Sequence, residues 1–337
     1  MSFGEVGAAW GWQASAIAPQ AGGLINKTFV VRDDAGKPIA ALQQLHPIFA
    51  AEVNLDIEAV TAHLASRGLS TPRLLRTLDG RAWVEHEGKL WRALSWIAGE
   101  SVDALPSAAW AEAGGVLVGK FHRAIADFTY DYKFTRAGVH DTPAHLAKLR
   151  ERVARGAGDE QTELGRQILV AADGLPPLPE TPKRHVHGDL KVSNVIFRNP
   201  PPHGICLVDL DTVAMGTIAF DLGDAMRSWC NPHREDAAAA RFDLAVFAAA
   251  MRGYRAEAPD LLGADEWASI VAGLETVCVE LAARFCADVF EDRYFGWDAS
   301  RYPSRRAHNL ARAAGQLALA RSVRDQRADA MDAALAG

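Results

Sequence analysis

The sequence is poor in cysteine, in early positive charge and in long apolar runs. It contains four cysteines and no CxxC pair, so we expect reduced core residues rather than a disulfide framework or a zinc site. The first Lys or Arg is Lys27, and the N-terminus therefore lacks the positive start of a secretory signal. No apolar run reaches the roughly 18 residues of a membrane span. These absences predict a cytoplasmic protein.

The composition predicts a two-lobed protein that binds a small ligand. At 337 residues the chain is too long for one ordinary compact core and suits two lobes with a cleft between them, where ligands usually bind. Apolar residues make up 49% and charged residues 23%, the balance of a globular protein. The net charge of −6 gives no general attraction to nucleic acid or to an anionic membrane, so we expect neither as a partner.

The first hundred residues are predicted to be rich in β-structure. Two apolar runs, 28–32 and 38–45, flank the turn sequence Asp33-Asp-Ala-Gly36 and predict a β-hairpin. A helical repeat of apolar residues follows over 52–67. Further strands are expected at 71–78, 82–85 and 90–97.

The rest of the sequence is predicted to be mainly helical. Long stretches rich in Ala and Leu begin with a helix expected over 107–128. A proline-rich stretch, 174–182, leads into a short β-island over 195–208, after which helices resume. The change in composition predicts two lobes, 1–97 and 98–337.

One segment of the helical part has polar residues at a spacing that suits phosphoryl transfer. Asp189 lies in a loop that follows an apolar-flanked His-Val-His sequence, and Asn194 is five residues further on. Asp209 follows the apolar run 205–208, where the end of a strand would hold its carboxylate rigidly. Phosphoryl transfer from ATP needs a carboxylate to orient the attacking hydroxyl and oxygen ligands for magnesium. The segment therefore predicts a kinase that uses ATP and Mg²⁺.

The order His187-x-Asp189-x-Lys191-x-x-Asn194, then a hairpin and an aspartate, resembles the catalytic and metal loops of protein kinases and of the aminoglycoside and choline phosphotransferase family. The resemblance implies an α+β, protein-kinase-like two-lobe fold with a small β-rich N-terminal lobe and a larger, mainly helical C-terminal lobe. It implies that Asp189 is the catalytic base, that Lys191 reaches the transferred phosphate and that His187 supports the loop. Asn194 and Asp209 would hold Mg²⁺.

The same resemblance assigns parts of the N-terminal lobe to ATP binding. Gly22, Gly23 and Asn26 precede the first long strand, where backbone N–H groups would approach the phosphates. A plain tight turn is the alternative for this stretch. The backbone near Ser95 to Ile97 would contact the edge of the adenine.

One position departs from the family pattern. Kinases carry a phosphate-binding lysine on the second long strand of the small lobe, paired to a helix glutamate, whereas this sequence has Gln43 there. Glutamine donates a hydrogen bond but has no charge, so either Lys27, Lys37 or another cation substitutes, or the ATP site is electrostatically weaker. Glu58 is the expected helix residue, with Glu52 as the alternative. Asp211 either supports the metal ligands or binds a second metal ion, with a solvated turn carboxylate as the alternative.

Four shorter stretches bear on the acceptor. They are Gly23-Leu-Ile-Asn-Lys-Thr28, His140-Asp-Thr-Pro143, Val208-Asp-Leu-Asp-Thr212 together with 220–227, and His308-Asn-Leu-Ala-Arg312. These stretches resemble the N-acetylhexosamine 1-kinase branch of the family, which implies that the acceptor is the anomeric hydroxyl of a sugar. The candidate acceptor residues are Asp224, Arg227, Tyr294, Trp297, His308 and Arg312. Core aromatics and solvated arginines are the alternative interpretation, and an aminoglycoside, choline or another amino alcohol is the alternative acceptor.

Two other classes of protein would use the same residues. The sequence 205–213 resembles the DxDxT nucleophile motif of haloacid-dehalogenase-type phosphatases, but that family needs a later lysine and this chain has none after Lys191. A non-catalytic nucleotide-binding protein would explain the missing small-lobe lysine. The joint presence of Asp189, Asn194 and Asp209 favours a catalytic protein over this alternative.

Overall fold

A computed structural model describes residues 3–20, 25–136, 138–156 and 158–336. Contacts within the chain divide it into two compact units. The first, which we call the sheet unit, combines Met1–Gly99 with Asp127–Arg136 and Val208–Thr212. The second, the helical unit, comprises Glu100–Ala126, Ala137–Leu207 and Val213–Gly337. The sheet unit therefore includes two segments that lie beyond the predicted lobe boundary at residue 97.

The described part of the sheet unit is built around an antiparallel β-sheet. Its elements are α1 (Phe3–Ala8), β1 (Ile17–Pro19), β2 (Lys27–Arg32), β3 (Pro38–Gln44), α2 (Val53–Ser66), β4 (Leu74–Leu75), β5 (Val84–His86), β6 (Lys89–Ser95) and the 3₁₀ turn Leu210–Thr212. The strand order is β1-β2-β3-β6-β4, and β5 also pairs with β6.

The predicted hairpin is confirmed as β2 and β3, and its turn has a clear chemical cause. Gly36 has a left-handed backbone with a φ of +79°, a conformation open to a residue without a Cβ atom. The side chain of Asp33 accepts hydrogen bonds from the backbone N–H groups of Ala35 and Lys37. These bonds satisfy the turn locally and bring the two strands into antiparallel register.

An apolar core covers one face of this sheet. Phe29, Leu42 and Trp91 lie on β2, β3 and β6 and are buried in the same cluster. Trp10 joins them after α1, and its indole N–H donates a 2.7 Å hydrogen bond to the carbonyl of Leu75. Sequence periodicity predicts neither α1 nor β1, because elements of six and three residues span too few positions for a period to register.

The strand predicted at 71–78 is wrong in length. Only Leu74–Leu75 pair with β6. Thr77 then starts a turn, in which its N–H bonds with the carbonyl of Arg81 and its carbonyl accepts from the N–H of Gly80. The chain therefore leaves the sheet soon after β4.

The helical unit contains a helical bundle and two short strand pairs. Its described elements are α3 (Ala108–Ile125), α4 (Thr142–Ala154), α5 (Glu160–Asp173), β7 (Arg184–Val186), the 3₁₀ turn Val192–Asn194, β8 (Val195–Arg198), β9 (His203–Leu207), β10 (Ala214–Gly216), α6 (Ile218–Trp229), α7 (Leu244–Glu257), α8 (Ala264–Glu291), α9 (Arg305–Asp325) and α10 (Arg327–Leu335). Antiparallel pairs join β8 to β9 and β7 to β10. The predicted β-island and the long helix that becomes α3 are confirmed. Across the described residues, no helix combines the length and apolar character that crossing a bilayer requires.

Two glycines set how closely α6 packs on α8. A Cβ atom on Gly273 would lie 2.1 Å from the carbonyl oxygen of Ala219, and one on Gly223 would lie 2.8 Å from the carbonyl carbon of Gly273. The two helix backbones are therefore in direct contact, and any larger residue would push them apart. This contact fixes the position of α6, which supports the predicted catalytic loop.

Candidate active site

The predicted catalytic loop lies between β7 and β8 in the helical unit. Gly188 has a left-handed backbone with a φ of +78°, and the 3₁₀ turn Val192–Asn194 closes the loop just before β8. The side chain of His187 is buried, whereas that of Asp189 is 26% exposed. The loop is therefore anchored by the buried side chain of His187, while the carboxylate of Asp189 stays accessible.

Asp189 carries an ionised carboxylate that is paired with a cation. Its Oδ2 lies 2.5 Å from Nζ of Lys191. Burial raises the pKa of Asp189, but the charge and hydrogen bond of Lys191 outweigh burial and hold that pKa below its ordinary value. An aspartate in this state can accept a hydrogen bond, and then a proton, from a hydroxyl group that approaches it.

One face of α6 holds the loop at several points. The carboxylate of Asp221 accepts hydrogen bonds from the backbone N–H groups of His187 and Gly188. Two turns along the helix, Ser228 Oγ accepts from the N–H of Val192 at 2.9 Å, and the indole of Trp229 donates to the carbonyl of Leu190 at 2.8 Å. Residues seven or eight apart share a helix face. The position of α6 therefore determines the conformation of the loop.

A buried polar chain supports Asp221 from behind. His122 on α3 lies between Asp221 and Tyr254, with its Nε2 2.8 Å from Asp221 Oδ2 and its Nδ1 3.0 Å from the Tyr254 hydroxyl. Burial raises the pKa of Asp221, but hydrogen bonding and charge from His122 outweigh it and leave the pKa lowered. Asp221 is therefore ionised while it holds the loop.

The amide of Asn194 is oriented by the same loop. Its Nδ2 donates a 2.8 Å hydrogen bond to the backbone carbonyl of Asp189. No hydrogen bond to its Oδ1 comes from the residues that the structure describes. The orientation leaves an amide oxygen, which is a hard ligand of the kind that Mg²⁺ prefers.

In the sheet unit, Asn26 and Gln43 belong to one buried polar cluster with two charged residues. Arg92 on β6 donates from Nη1 and Nη2 to Asp211 Oδ1 and Oδ2, at 2.5 and 2.7 Å, and from Nε to Gln43 Oε1 at 2.8 Å. Asn26 Nδ2 donates to Asp211 Oδ2 at 2.9 Å. Both oxygens of Asp211 are thus occupied by protein donors, and its side chain is only 1% exposed. Asp211 is not the solvated turn carboxylate of the alternative interpretation.

Asp209 lies beside this cluster in an unusual backbone conformation. Its φ is +64°, in the left-handed region that few residues other than glycine adopt. Burial raises the pKa of Asp211, but the charge of Arg92 and hydrogen bonds from Arg92 and Asn26 outweigh burial and hold that pKa below its ordinary value. Asp209 therefore directly precedes the turn that Arg92 holds through Asp211.

The remaining residues predicted to bind the nucleotide have individual roles in the sheet unit. Glu58 on α2 forms a two-pronged ion pair with Arg76, at 2.8 and 2.6 Å. Ser95 exchanges hydrogen bonds with the backbone of Arg73, and Ile97 follows β6 as a half-buried residue. Gly22 and Gly23 lie outside the described residues.

Four predicted acceptor residues belong to one buried charge network in the helical unit. They are Asp224 and Arg227 on α6, and His308 and Arg312 on α9. Arg227 donates from Nε and Nη2 to Asp224 Oδ1 at 2.9 and 2.8 Å. Burial lowers the pKa of Arg227, but the charges of Asp224 and Glu235 outweigh burial and raise it. The second oxygen of Asp224, Oδ2, is buried and has no hydrogen-bond partner among the described residues.

Two acidic residues that sequence reasoning missed connect this network. Glu235 lies 3.1 Å from Arg227 Nη1 and 3.5 Å from Arg312 Nε. Its neighbour Asp236 accepts from Arg301 at 2.6 Å and lies 3.0 Å from His308 Nε2. Both follow α6 in an irregular segment. The one available signal in the sequence was that these two acidic residues are adjacent.

The other two predicted acceptor residues lie in the loop after α8. Asp288 anchors this loop, because its carboxylate accepts from the backbone N–H groups of Tyr294 and Phe295 and from Asn309 Nδ2. Tyr294 is 47% exposed, and Trp297 is half-buried. Arg312 donates to the carbonyl of Gly296 at 2.8 Å, which ties the loop to the charge network.

Comparison with known proteins identifies the family. The model of the phosphotransferase enzyme family matches residues 16–259, more than half of the chain. The chain belongs to the phosphotransferase enzyme family. The predicted enzyme class, a kinase with an alcohol group as acceptor, is confirmed, and the family match favours it over the phosphatase and non-catalytic alternatives.

This phosphotransferase is similar to curated homoserine kinases. It is 27% identical to the homoserine kinase of Granulibacter bethesdensis over 284 residues, which cover 82% of this chain and 79% of the relative. It is 28% identical to that of Pseudomonas aeruginosa over 278 residues, which cover 80% of each chain.

Solved structures of small-molecule kinases share the fold of this phosphotransferase. The amicoumacin kinase hAmiN, in complex with AMP-PNP, Ca²⁺ and amicoumacin, matches with a TM-score of 0.64 at 15% identity, over 93% of this chain and 91% of that chain. The microcompartment-associated aminopropanol kinase matches with a TM-score of 0.63 at 16% identity, over 96% of each chain. At these identities the match concerns the fold alone. The predicted protein-kinase-like fold class is confirmed.

Proposed function

We propose that this phosphotransferase transfers the γ-phosphoryl group of ATP, in the presence of Mg²⁺, to a hydroxyl group of a small acceptor. The observation that carries the proposal is the ionised, accessible Asp189 carboxylate in a loop held by Asp221. The acceptor oxygen attacks the γ-phosphorus, the bond to the β,γ-bridging oxygen breaks, and ADP leaves. Asp189 orients the hydroxyl and takes its proton.

Lys191 has two successive partners in this mechanism. Without nucleotide, its ammonium group is paired with Asp189. A negatively charged phosphoryl group that approaches the loop offers Lys191 a second anion. Lys191 then stabilises the transferred phosphoryl group, while His187 supports the loop from its buried position.

The chemistry of the available donors supports a hard divalent metal. Asn194 supplies an amide oxygen and Asp209 a carboxylate, and hard oxygen ligands suit Mg²⁺ that is carried by nucleotide phosphates. Bound Mg²⁺ supplies neutralisation of the charge on the phosphate oxygens. The amicoumacin kinase hAmiN shares this fold, and its structure contains AMP-PNP and Ca²⁺, which supports the proposal.

We also propose that residues of the sheet unit bind the nucleotide. Asn26 and Gln43 belong to the polar cluster around Arg92, while the backbone near Ser95 and Ile97 is proposed for the adenine. Glu58 is engaged by Arg76, so we give it no direct contact with the nucleotide.

The first acceptor class that we propose is a small amino acid or amino alcohol with a free hydroxyl group. It is supported by the names of the curated relatives, which are homoserine kinases over about four fifths of both chains. An unpartnered Asp224 oxygen, beside a buried arginine, would suit the ammonium group of such an acceptor.

The second acceptor class is a sugar phosphorylated at its anomeric hydroxyl. The observation in its favour is that two stretches resembling the N-acetylhexosamine 1-kinases, 220–227 and 308–312, contribute to one charge network through Glu235. Carboxylates accept hydrogen bonds and guanidinium groups donate them, so both can bind sugar hydroxyls as well as charged groups. The two classes therefore need a direct experiment.

An acceptor screen tests the proposal. The purified enzyme is incubated with ATP and Mg²⁺ and with homoserine, aminopropanol, choline, an aminoglycoside or an N-acetylhexosamine, and ADP release is measured. The position of the phosphate is then read by ³¹P NMR. Phosphate on an amino-acid hydroxyl selects the first class, and phosphate on an anomeric carbon selects the second.

The matched control for this screen is a pair of aspartate variants. Asp189→Asn is expected to lower kcat by about 100- to 10,000-fold, the usual contribution of a general base, and to leave ATP affinity largely intact. Asp173→Asn alters an exposed residue of the same unit and should behave like the parent. ATP binding without turnover on any acceptor would contradict the proposed function.

A further inference from the structure

The strand register brings a cation to the position where the family lysine is missing. Gln43 on β3 and Arg92 on β6 are direct cross-strand partners, so their side chains share one face of the sheet. The guanidinium Nε of Arg92 donates to Gln43 Oε1 at 2.8 Å. The charge that Gln43 lacks is therefore present one strand away.

Arg92 is too deeply buried to serve as a surface cation. Its side chain is 1% exposed, as is that of its partner Asp211. Both carboxylate oxygens of Asp211 accept from the guanidinium, and Asn26 adds a third donor. A planar guanidinium suits this two-pronged geometry, which the single ammonium of a lysine does not reproduce.

The ion pair connects several parts of the sheet unit to one turn. Asp211 lies in the 3₁₀ turn Leu210–Thr212, and Asp209 precedes that turn with its left-handed φ of +64°. Asn26 precedes β2, and its Oδ1 accepts from the N–H of His46 after β3. The Arg92 guanidinium thus holds the turn against β3, β6 and the entry to β2.

We propose that Arg92 replaces the missing small-lobe lysine as a positioning residue. It does not reach the phosphates of ATP. Instead it holds Asp211, and because Asp209 directly precedes the turn that contains Asp211, it fixes the backbone that carries the Asp209 carboxylate for the metal–nucleotide complex. This inference rests on the proposed function, in which Asp209 is a Mg²⁺ ligand.

Three variants separate positioning from simple structural support. Arg92→Met leaves Asp211 as a buried, unpaired carboxylate, which destabilises the fold for reasons unrelated to metal binding. The double variant Arg92→Met with Asp211→Leu removes both charges and leaves no buried ion, so we expect it to fold stably. Arg92→Lys retains a positive charge with fewer donors and should restore binding in part.

The measurement is the dissociation constant of ATP by calorimetry, with Mg²⁺ and with EDTA, at a temperature where circular dichroism shows each variant folded. For the double variant we expect affinity for Mg·ATP to fall about 10- to 100-fold, the usual effect of removing support for a metal ligand. Affinity for metal-free ATP should change little. Arg81→Gln, which alters an exposed pair of the same unit, is the control.

The outcomes distinguish this inference from the proposed function. A stable double variant that binds Mg·ATP as tightly as the parent would show that Arg92 is only structural, and would overturn the inference. Equal losses of affinity with Mg²⁺ and with EDTA would also overturn it, because the effect would not pass through a metal ligand. A parent enzyme that does not bind Mg·ATP would contradict the proposed function itself.

Discussion

The backbone N–H of Gly188 donates a 2.7 Å hydrogen bond to Oδ1 of Asp221, a residue 33 positions later in the chain. Gly188 has a positive φ, and the residue after it is the proposed base, Asp189. The direction of the Asp189 carboxylate therefore depends on a buried anion on α6.

Replacing Asp221 with Asn should lower both catalytic rate and stability. The amide keeps one oxygen acceptor but turns a donor toward N–H groups, so one backbone bond is lost. We expect a fall of about 1–3 kcal/mol in the free energy of unfolding by urea, as for other unsatisfied buried groups. We expect kcat to fall about 100-fold, as for small misplacements of a catalytic group.

The control for Asp221→Asn is the same substitution at an exposed aspartate. Asp173→Asn, at an exposed site of the helical unit, should leave both quantities unchanged. If Asp221→Asn lost stability but kept the parental kcat, Asp221 would support the fold without orienting Asp189.

The loop that we propose to be catalytic was predictable from sequence because its residues are close together in the chain. His187, Asp189, Lys191 and Asn194 belong to one loop, and their spacing alone predicts that the side chains share a site. Helix and hairpin periodicity likewise reports neighbours within one element. Local patterns therefore led to the loop and to the elements on either side of it.

The ion pair between Arg92 and Asp211 was not predictable in the same way. The two residues are 119 positions apart, and their pairing depends on which strand lies beside the turn that contains Asp211. One signal was present, since Arg92 interrupts the apolar residues of β6, and a charge in a buried strand needs a partner. Nothing in the local sequence identified that partner.

Removing the charge of Lys191 should shift the pH dependence of catalysis. Because Lys191 holds the pKa of Asp189 below its ordinary value of about 3.9, the parent kcat should not fall through loss of the base between pH 8 and 5. In Lys191→Met the charges of His187 and Arg227 still lower the pKa of Asp189, but the larger contribution of Lys191 is lost and burial, which raises that pKa, is opposed less. In the profile of kcat against pH, the fall on the acidic side, its acidic limb, should therefore move toward neutral pH.

This shift is measured from kcat profiles between pH 5 and 8 at saturating substrates. Lys191→Met will also lower the plateau if Lys191 contacts the phosphoryl group, but the position of the limb is independent of the plateau. Lys191→Arg keeps the positive charge and serves as the control, with a limb that stays below pH 5. An unchanged limb in Lys191→Met would mean that another cation sets the pKa of Asp189.

Replacing Glu235 with Gln should weaken acceptor binding more than nucleotide binding. Glu235 connects Arg227 and Arg312, and its charge balances two buried guanidinium groups. Without that charge both arginines lose alignment, and we expect KM for the acceptor to rise about tenfold, which corresponds to 1.4 kcal/mol. KM for ATP should stay within twofold, which corresponds to roughly 0.4 kcal/mol. The control is Glu163→Gln, which alters an exposed ion pair. Equal increases in both KM values would mean that the network supports the whole helical unit rather than the acceptor.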